Sequence, residues 1–263
     1  LLNYRKGPYY RVSINQAIKL GEQFGTPEEN YARRKTLLSI SEDEAEIYTL
    51  LKDLTESSYF QHEYDSTLVY SARLKAHPLH NKEDAMRSLY YPFKAFLEMG
   101  MEEQAMQLIN DIPAEDAGSK SAEMFYYRIS KQVEQQEFSR SEEQLFLYLK
   151  RFTRQAFWKA KGFILLGDVY LGMEDNFQAK ATWQSVVDHY PGDDLKAIAS
   201  LRIEELEAVE KMQKQTKDTI ELDFRLENGA LSPVGDSLEI EKPEKYPSTM
   251  DSLIHPLDTL KNQ

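Results

Sequence analysis

The stretch FILLGDVYLGMEDNFQAKATWQSVVDHYPG, residues 163–192, decides the fold of this chain. Its apolar residues recur three or four positions apart, which is the period of an amphipathic α-helix. Asp175 and Asn176 interrupt the pattern, and both suit a turn that caps a following helix. Pro191 closes the second apolar run, because proline cannot continue a helix. The stretch therefore predicts two antiparallel helices joined by a short turn.

Small and large residues are arranged along this helix pair in a way that predicts close packing. Gly167 and Ala179 are small at the points where the two helices would pass, so that the two backbones can approach each other. Phe163, Tyr170 and Trp183 are large, and they would fill the space between one helix pair and the next. The pattern therefore predicts a unit that stacks against copies of itself.

This spacing resembles the tetratricopeptide repeat (TPR), a unit of two antiparallel helices. The repeat pattern has an aromatic residue, a Leu-Gly pair, a tyrosine, an alanine, a second aromatic residue and a proline. In this chain Phe stands in place of the usual first Trp, and Trp stands in place of the later Phe. We interpret the matching positions as repeat-packing residues, namely Phe163, Leu166, Gly167, Tyr170, Ala179, Trp183, Val186 and Pro191.

Three weaker copies precede this helix pair. In them the position of Ala179 is taken by Thr67, Ala105 and Ser141, and the successive intervals are 38, 36 and 38 residues. The position of Gly167 is taken by larger residues, namely Thr55, Phe93 and Ile129. The nominal repeat has about 34 residues, so we expect connections that are a few residues longer.

The predicted fold is all-α, because the first 215 residues contain no alternating pattern typical of a strand. The expected architecture is a stack of antiparallel helix-pair repeats in a right-handed TPR-type superhelix. Its predicted parts are a partial leading repeat at 1–25, TPR-like repeats at 26–193, a C-terminal capping helix at 194–217 and an irregular or disordered acidic tail at 218–263. We interpret residues 13–24 as the second helix of an earlier unit, and the chain, which begins without methionine, as a piece of a longer protein.

The capping helix would cover the last apolar face of the stack. Four of its apolar residues, Leu195, Ile198, Leu201 and Leu206, are predicted to face inward. Acidic and basic side chains on the other side would face water.

The tail differs from the rest of the chain in composition. It holds four of the ten prolines, and its ten acidic residues outnumber four basic ones. Two interpretations stay open, which are a solvated segment without a role and a segment that becomes ordered on a partner. The alternation of Ile220, Leu222 and Phe224 keeps the second open, because an alternating segment can add a strand to a partner's sheet.

The composition excludes several classes of partner and site. The formal net charge is -12 at pH 7, whereas binding to nucleic acid or to an anionic membrane surface needs clustered Lys and Arg. No apolar run approaches the roughly 18 residues that a membrane-spanning helix requires. The chain has no cysteine, which excludes disulfides, thiolate zinc sites and thiol nucleophiles.

No group of residues predicts catalysis or cofactor binding. We find no pair of carboxylates placed to act as general acid and general base. His77 and His80 could share a zinc ion, but Pro78 interrupts the helical geometry between them and no third ligand is evident. We therefore predict a non-enzymatic protein with no catalytic residues, no metal site and no cofactor.

The predicted function is protein binding. Stacked repeats form a concave groove lined by the first helix of each unit, in which Lys94 and Lys161 would meet carboxylates of a peptide or protein partner. The repeat register places nine residues in this groove, namely Lys52, Glu56, Tyr90, Lys94, Tyr126, Ser130, Lys161, Ile164 and Asp168. The alternative is a glycan-binding helical-repeat module, for which Tyr90 and Tyr126 would supply aromatic platforms.

Residues 158–194 also resemble the last repeats of long TPR proteins that some Gram-negative bacteria export. The resemblance is carried by FILLGDVY at 163–170 and FQAK at 177–180. It implies a scaffold in the periplasm or peripherally associated with the outer membrane, acting as a subunit of a multiprotein machine for secretion or assembly. The cytoplasm is the alternative location.

Overall fold

The structure, a computed structural model, describes residues 8–227, apart from the side chains of residues 8, 83 and 222–227. Within this range it contains eleven helices and no strand, so the all-α prediction is confirmed. In chain order the helices are α1 (Pro8–Phe24), α2 (Pro27–Ile40), α3 (Glu44–Phe60), α4 (Tyr64–Lys75), α5 (Lys82–Glu98), α6 (Glu102–Ile109), α7 (Ser119–Glu134), α8 (Phe138–Arg151), α9 (Ala156–Gly172), α10 (Asn176–His189) and α11 (Asp193–Glu227).

The helices form two compact units, an N-terminal unit of residues 1–128 and a C-terminal unit of residues 129–263. In the N-terminal unit each helix from α1 to α5 packs against the next, α5 packs against α6, and α3 also contacts α5 directly. In the C-terminal unit α8 packs on α9, α9 on α10 and α10 on α11, while α9 also contacts α11. Packing between adjacent helices, with further contacts from α3 to α5 and from α9 to α11, is expected of helix-pair repeats.

Four turns between paired helices share one backbone conformation. Each contains a residue with positive φ, and these residues are His62 (58°), Gly100 (72°), Gln136 (62°) and Glu174 (63°). The next residue in each turn donates its N–H to a carbonyl five positions earlier, at 2.8–3.0 Å. This is the hydrogen bond of the Schellman motif, which satisfies carbonyl groups left over at a helix C-terminus.

The turns lie at the same distance from the small residues that define the sequence repeat. Thr67, Ala105, Ser141 and Ala179 each follow the positive-φ residue by five positions and are fully buried. Each is the fourth residue of the second helix in its pair. Sequence intervals and backbone geometry therefore agree on one register.

The first two helices form a further pair in the same register. Asn30 is buried as the fourth residue of α2, 37 residues before Thr67. A Cβ atom at Gly21 of α1 would overlap Asn30 Oδ1, so the glycine makes room for the larger amide. Whereas the sequence suggested that residues 13–24 are the second helix of an earlier unit, α1 packs on α2 as the first helix of a pair.

Trp183 is the centre of the last pair. Its side chain is fully buried, and its Nε1–H donates a hydrogen bond to the carbonyl of Ile164 at 3.1 Å. The indole lies where a Cβ atom at residue 167 would stand, so only glycine fits there. The other predicted repeat-packing residues, Phe163, Leu166, Tyr170, Ala179 and Val186, are buried, and only Pro191 is exposed, in the connection after α10.

Helix α11 differs from the predicted capping helix in two ways. It continues to Glu227, so residues 218–227 are helical where the sequence suggested an irregular tail. These residues contain no glycine or proline, so nothing in them stops the helix. Leu195 and Leu206 face inward as predicted, but Ile198 and Leu201 are 45% and 55% exposed. Residues 228–263, and with them most of the predicted tail, lie outside the described residues.

The shared turn predicts opposite effects for two substitutions. A left-handed backbone costs a non-glycine residue about 1 kcal/mol, and a Cβ at Gly100 would meet no atom within 4 Å. We expect Gly100→Ala to lower the free energy of unfolding by about 1 kcal/mol. We expect Gln136→Gly, at an exposed position, to raise it by about 0.5 kcal/mol. Urea denaturation measures both values. If the free energy of unfolding changed in the same direction for the two variants, the shared conformation would be contradicted.

The burial of Trp183 predicts a large loss of stability for one substitution and a smaller loss for another. We expect Trp183→Ala to lower the free energy of unfolding by about 3–5 kcal/mol, because it empties a fully buried site. Trp183→Phe keeps most of the ring and removes the Nε1–H donor, so about 1–2 kcal/mol should be lost. Thermal and urea denaturation measure both values. An unchanged midpoint for Trp183→Ala would contradict the packing described for the last pair.

Candidate protein-binding face

The nine predicted groove residues occupy equivalent positions on the first helices of successive pairs. Glu56 and Lys94 lie eleven residues before the buried small residue of their repeat, and Lys52 and Tyr90 lie fifteen residues before it. We call the surface that these positions occupy, taken in each unit by itself, the first-helix face. Eight of the nine residues are half-buried, namely Lys52, Glu56, Tyr90, Lys94, Tyr126, Ser130, Lys161 and Asp168.

Ile164 is the exception, because its side chain is only 7% exposed. Helix α9 is buried at almost every position from Lys159 to Tyr170, since neighbouring helices cover it on several sides. The apolar side chain of Ile164 therefore belongs to the core of the C-terminal unit, and its carbonyl accepts the Trp183 hydrogen bond. The sequence register placed the residue correctly along the helix, but its side chain offers no surface to a partner.

Ion pairs join neighbouring first helices across this face in the N-terminal unit. Glu56 Oε2 on α3 lies 2.7 Å from Arg87 Nη1 on α5. Lys94 Nζ on α5 lies 2.9 Å from Glu123 Oε1 on α7. Lys52 Nζ is 3.6 Å from Asp84 Oδ2. Half-buried pairs of this kind hold long side chains in fixed positions more firmly than fully exposed pairs do.

Glu123 is shared between two predicted groove residues. Its second carboxylate oxygen accepts a hydrogen bond of 2.7 Å from the hydroxyl of Tyr90. Burial works against the charge on Lys94, but the hydrogen bond to Glu123 and the charge of its carboxylate outweigh it and raise the pKa of Lys94. The sequence suggested that Lys94 would meet a partner's carboxylate; in the structure its ammonium already faces one.

The two adjacent tyrosines of α5 have different surroundings. Tyr91 is only 4% exposed, while Tyr90 is half-buried on the first-helix face. Burial is the main cause that raises the pKa of both phenols. Lys120 Nζ lies 5.3 Å from the centroid of the Tyr90 ring and 4.7 Å from that of the Tyr91 ring. A cation therefore already occupies a face of the Tyr90 ring.

The C-terminal unit also has an ion pair from a first helix, but here the acidic residue of α9 pairs with a basic residue of the last helix, α11. Asp168 Oδ1 on α9 lies 3.2 Å from Arg202 Nε on α11. The Asp168 side chain is 26% exposed. Burial raises its pKa to about 6, although the Arg202 charge opposes the shift. On the same helix, Lys161 Nζ lies 5.0 Å from the Trp158 ring.

The sequence interpretation missed the partners in these pairs. Arg87 and Glu123 each lie eighteen residues before the buried small residue of their repeat, as Lys161 does before Ala179. Extending the register to this position would have found them. The sequence pattern of these ion pairs is a charge eleven residues before the buried small residue of one repeat and an opposite charge eighteen residues before that of the next repeat.

The two histidines considered for zinc have separate partners. The Leu79 N–H donates to His77 Nδ1 at 3.2 Å, and the other ring nitrogen, Nε2, lies 3.0 Å from Glu44 Oε2. His80 Nε2 lies 3.4 Å from Ser88 Oγ. Among residues 8–227 the structure brings together no group of three metal-ligating side chains.

Comparisons with known proteins identify no family for this chain. No family model matches it, and no curated protein matches it. One similar solved structure comes from Bacteroides ovatus ATCC 8483 and bears a name that assigns protein binding only provisionally. It is 14% identical, covers 77% of this chain and 98% of its own, and superposes with a TM-score of 0.31. A likeness this distant carries no argument about what the present chain binds.

The described helices also bear on membrane insertion. None of them combines the length and the apolar character needed to cross a bilayer.

The raised pKa of Asp168 predicts a pH-dependent substitution effect. A carboxyl whose pKa is higher in the folded than in the unfolded chain favours folding when protonated, so its ionisation costs stability as pH rises from 4 to 6. We expect Asp168→Asn to be more stable than the native chain at pH 8 and to lose this advantage near pH 4. Urea denaturation across this range measures the difference. Asp188→Asn, at an exposed position of the same unit, is the control, and a pH-independent difference for Asp168→Asn would contradict the expectation.

Proposed function

We propose that this protein is a non-enzymatic scaffold that binds peptide or protein segments on the first-helix face of TPR-type helix pairs. One observation carries the proposal. Equivalent positions on α3, α5 and α7 are half-exposed, lie on one face and are joined from helix to helix by ion pairs. A surface of this kind extends along several helices and suits an elongated partner.

The ion pairs support binding in a second way. Side chains such as Lys94 and Tyr90 are held by Glu123 before any partner arrives. Ordering long side chains on association costs about 0.5–1.5 kcal/mol each, so a surface that is already ordered loses less on binding. Tyrosine and arginine are also the residues that protein interfaces favour.

The family and the location belong to the same proposal. The tetratricopeptide assignment rests on the spacing around Trp183 and on the shared turns at His62, Gly100, Gln136 and Glu174. Action within a multiprotein assembly of the periplasm or outer membrane, such as one for secretion, rests on the sequence resemblance alone.

Protein segments are favoured over glycans as the ligand. A sugar stacks on an open aromatic ring, and Lys120 already covers a face of Tyr90. The Tyr90 hydroxyl is occupied by Glu123 as well. These contacts leave Tyr90 poorly suited to the platform that the glycan alternative requires.

Site-specific photocrosslinking tests the proposal. We would place p-benzoylphenylalanine at Tyr126 on the first-helix face, and at Val69, which is 56% exposed on the second helix α4. We expect discrete protein adducts from the Tyr126 position in extracts of the source organism, and we expect unlabelled protein to suppress them by competition. Val69 should give none. Adducts from Val69 but not from Tyr126 would assign binding to a different surface.

A further inference from the structure

In the N-terminal unit, Lys120 at the start of α7 lies beside the first-helix residue Tyr90, and it has no carboxylate at ion-pair distance among the side chains that the structure describes. The other cations of this face in the N-terminal unit, Lys52, Arg87 and Lys94, each lie within 4 Å of a carboxylate oxygen. Lys120 Nζ instead lies 3.5 Å from the Tyr91 hydroxyl and over the rings of Tyr90 and Tyr91. Its ammonium is thus positioned by aromatic groups.

The charges around Lys120 cancel one another. Glu56 attracts the ammonium and Arg87 repels it, and these two side chains form an ion pair of 2.7 Å with each other. Burial, the largest cause, lowers the pKa of Lys120, because the ammonium has lost part of its hydration and the attraction of Glu56 is opposed by the repulsion of Arg87. The result is a local excess of one positive charge on a chain whose formal net charge is -12.

An exposed aromatic side chain stands beside this cation. Phe60, at the end of α3, is 61% exposed and packs edge-on against the Tyr91 ring with centroids 6.2 Å apart. Lys120 and Phe60 therefore contact the same ring. The site therefore offers one cation and one exposed apolar side chain that are linked through the Tyr91 ring.

We propose that Lys120 anchors a carboxylate side chain of the bound partner, while Phe60 receives an apolar residue next to it in the partner's sequence. The inference rests on the proposed function and adds the chemical class of the partner, which is an acidic segment with interspersed apolar residues. Such a carboxylate would add one more ion pair to those that Lys52, Arg87 and Lys94 make in the N-terminal unit. The partially desolvated ammonium would gain a charge-assisted hydrogen bond, which is stronger than a neutral one.

Selection from a phage-displayed library of random peptides tests the proposal without a known partner. The full chain is immobilised, and enriched peptides are sequenced and then measured by fluorescence anisotropy. We expect the enriched peptides to carry Asp or Glu next to an apolar residue. Lys120→Met should weaken their binding about tenfold or more, whereas Lys120→Arg should retain it.

The control variant is Arg73→Met, which removes one positive charge from an exposed position of the second helix α4 in the same unit. It should leave binding unchanged, and circular dichroism should show that Lys120→Met folds like the native chain. Peptides enriched without acidic residues, or acidic peptides that bind Lys120→Met equally well, would overturn the inference while the proposed function stands. If the full chain enriches no peptide at all, the proposed function fails, and the inference fails with it.

Discussion

The turn between the two helices of a pair is the constraint on which the rest of the structure depends. One residue in the left-handed conformation and one hydrogen bond spanning five positions fix where the second helix begins. That starting point brings the fourth residue of the second helix into the tightest part of the pair, so the residue there is buried in every pair. Once this contact is set, the side of the first helix that faces outward is set as well.

The sizes of the facing side chains then differ from one helix pair to the next. In the last pair Gly167 leaves room for Trp183. At the corresponding positions of earlier pairs, larger residues, Phe93 and Ile129, are matched by the smaller Ile109 and Leu145, and all four are buried. The volume is divided differently between the two helices, and in both arrangements the residues at these positions are buried, as expected of close-packed interiors. This explains why only one pair has the full sequence pattern.

The sequence predicted the helical fold and the repeat interval because both depend on local periodicity. It missed the first pair because the register position holds Asn30, which is not small. The small residue of this pair is Gly21, which lies on the first helix and makes room for Asn30. It did not reveal the positive-φ residues, because only Gly100 among the four is a glycine. For the candidate site, eight of the nine predicted groove residues are half-buried, while the burial of Ile164 and the ion pair of Lys94 depend on neighbouring helices. Those neighbours cannot be deduced from periodicity alone.

The alternation of charge along the first helices has a consequence for how the chain assembles. Helix α5 presents Arg87 and Lys94, and it meets Glu56 of α3 on one side and Glu123 of α7 on the other. At these contacts α3 and α7 are both anionic and would repel each other if they became neighbours. Repeats with similar apolar cores are at risk of pairing in the wrong order. Because the charges differ from helix to helix, a stack in the wrong order would bring like charges together and be less stable, even where the apolar residues could still pack.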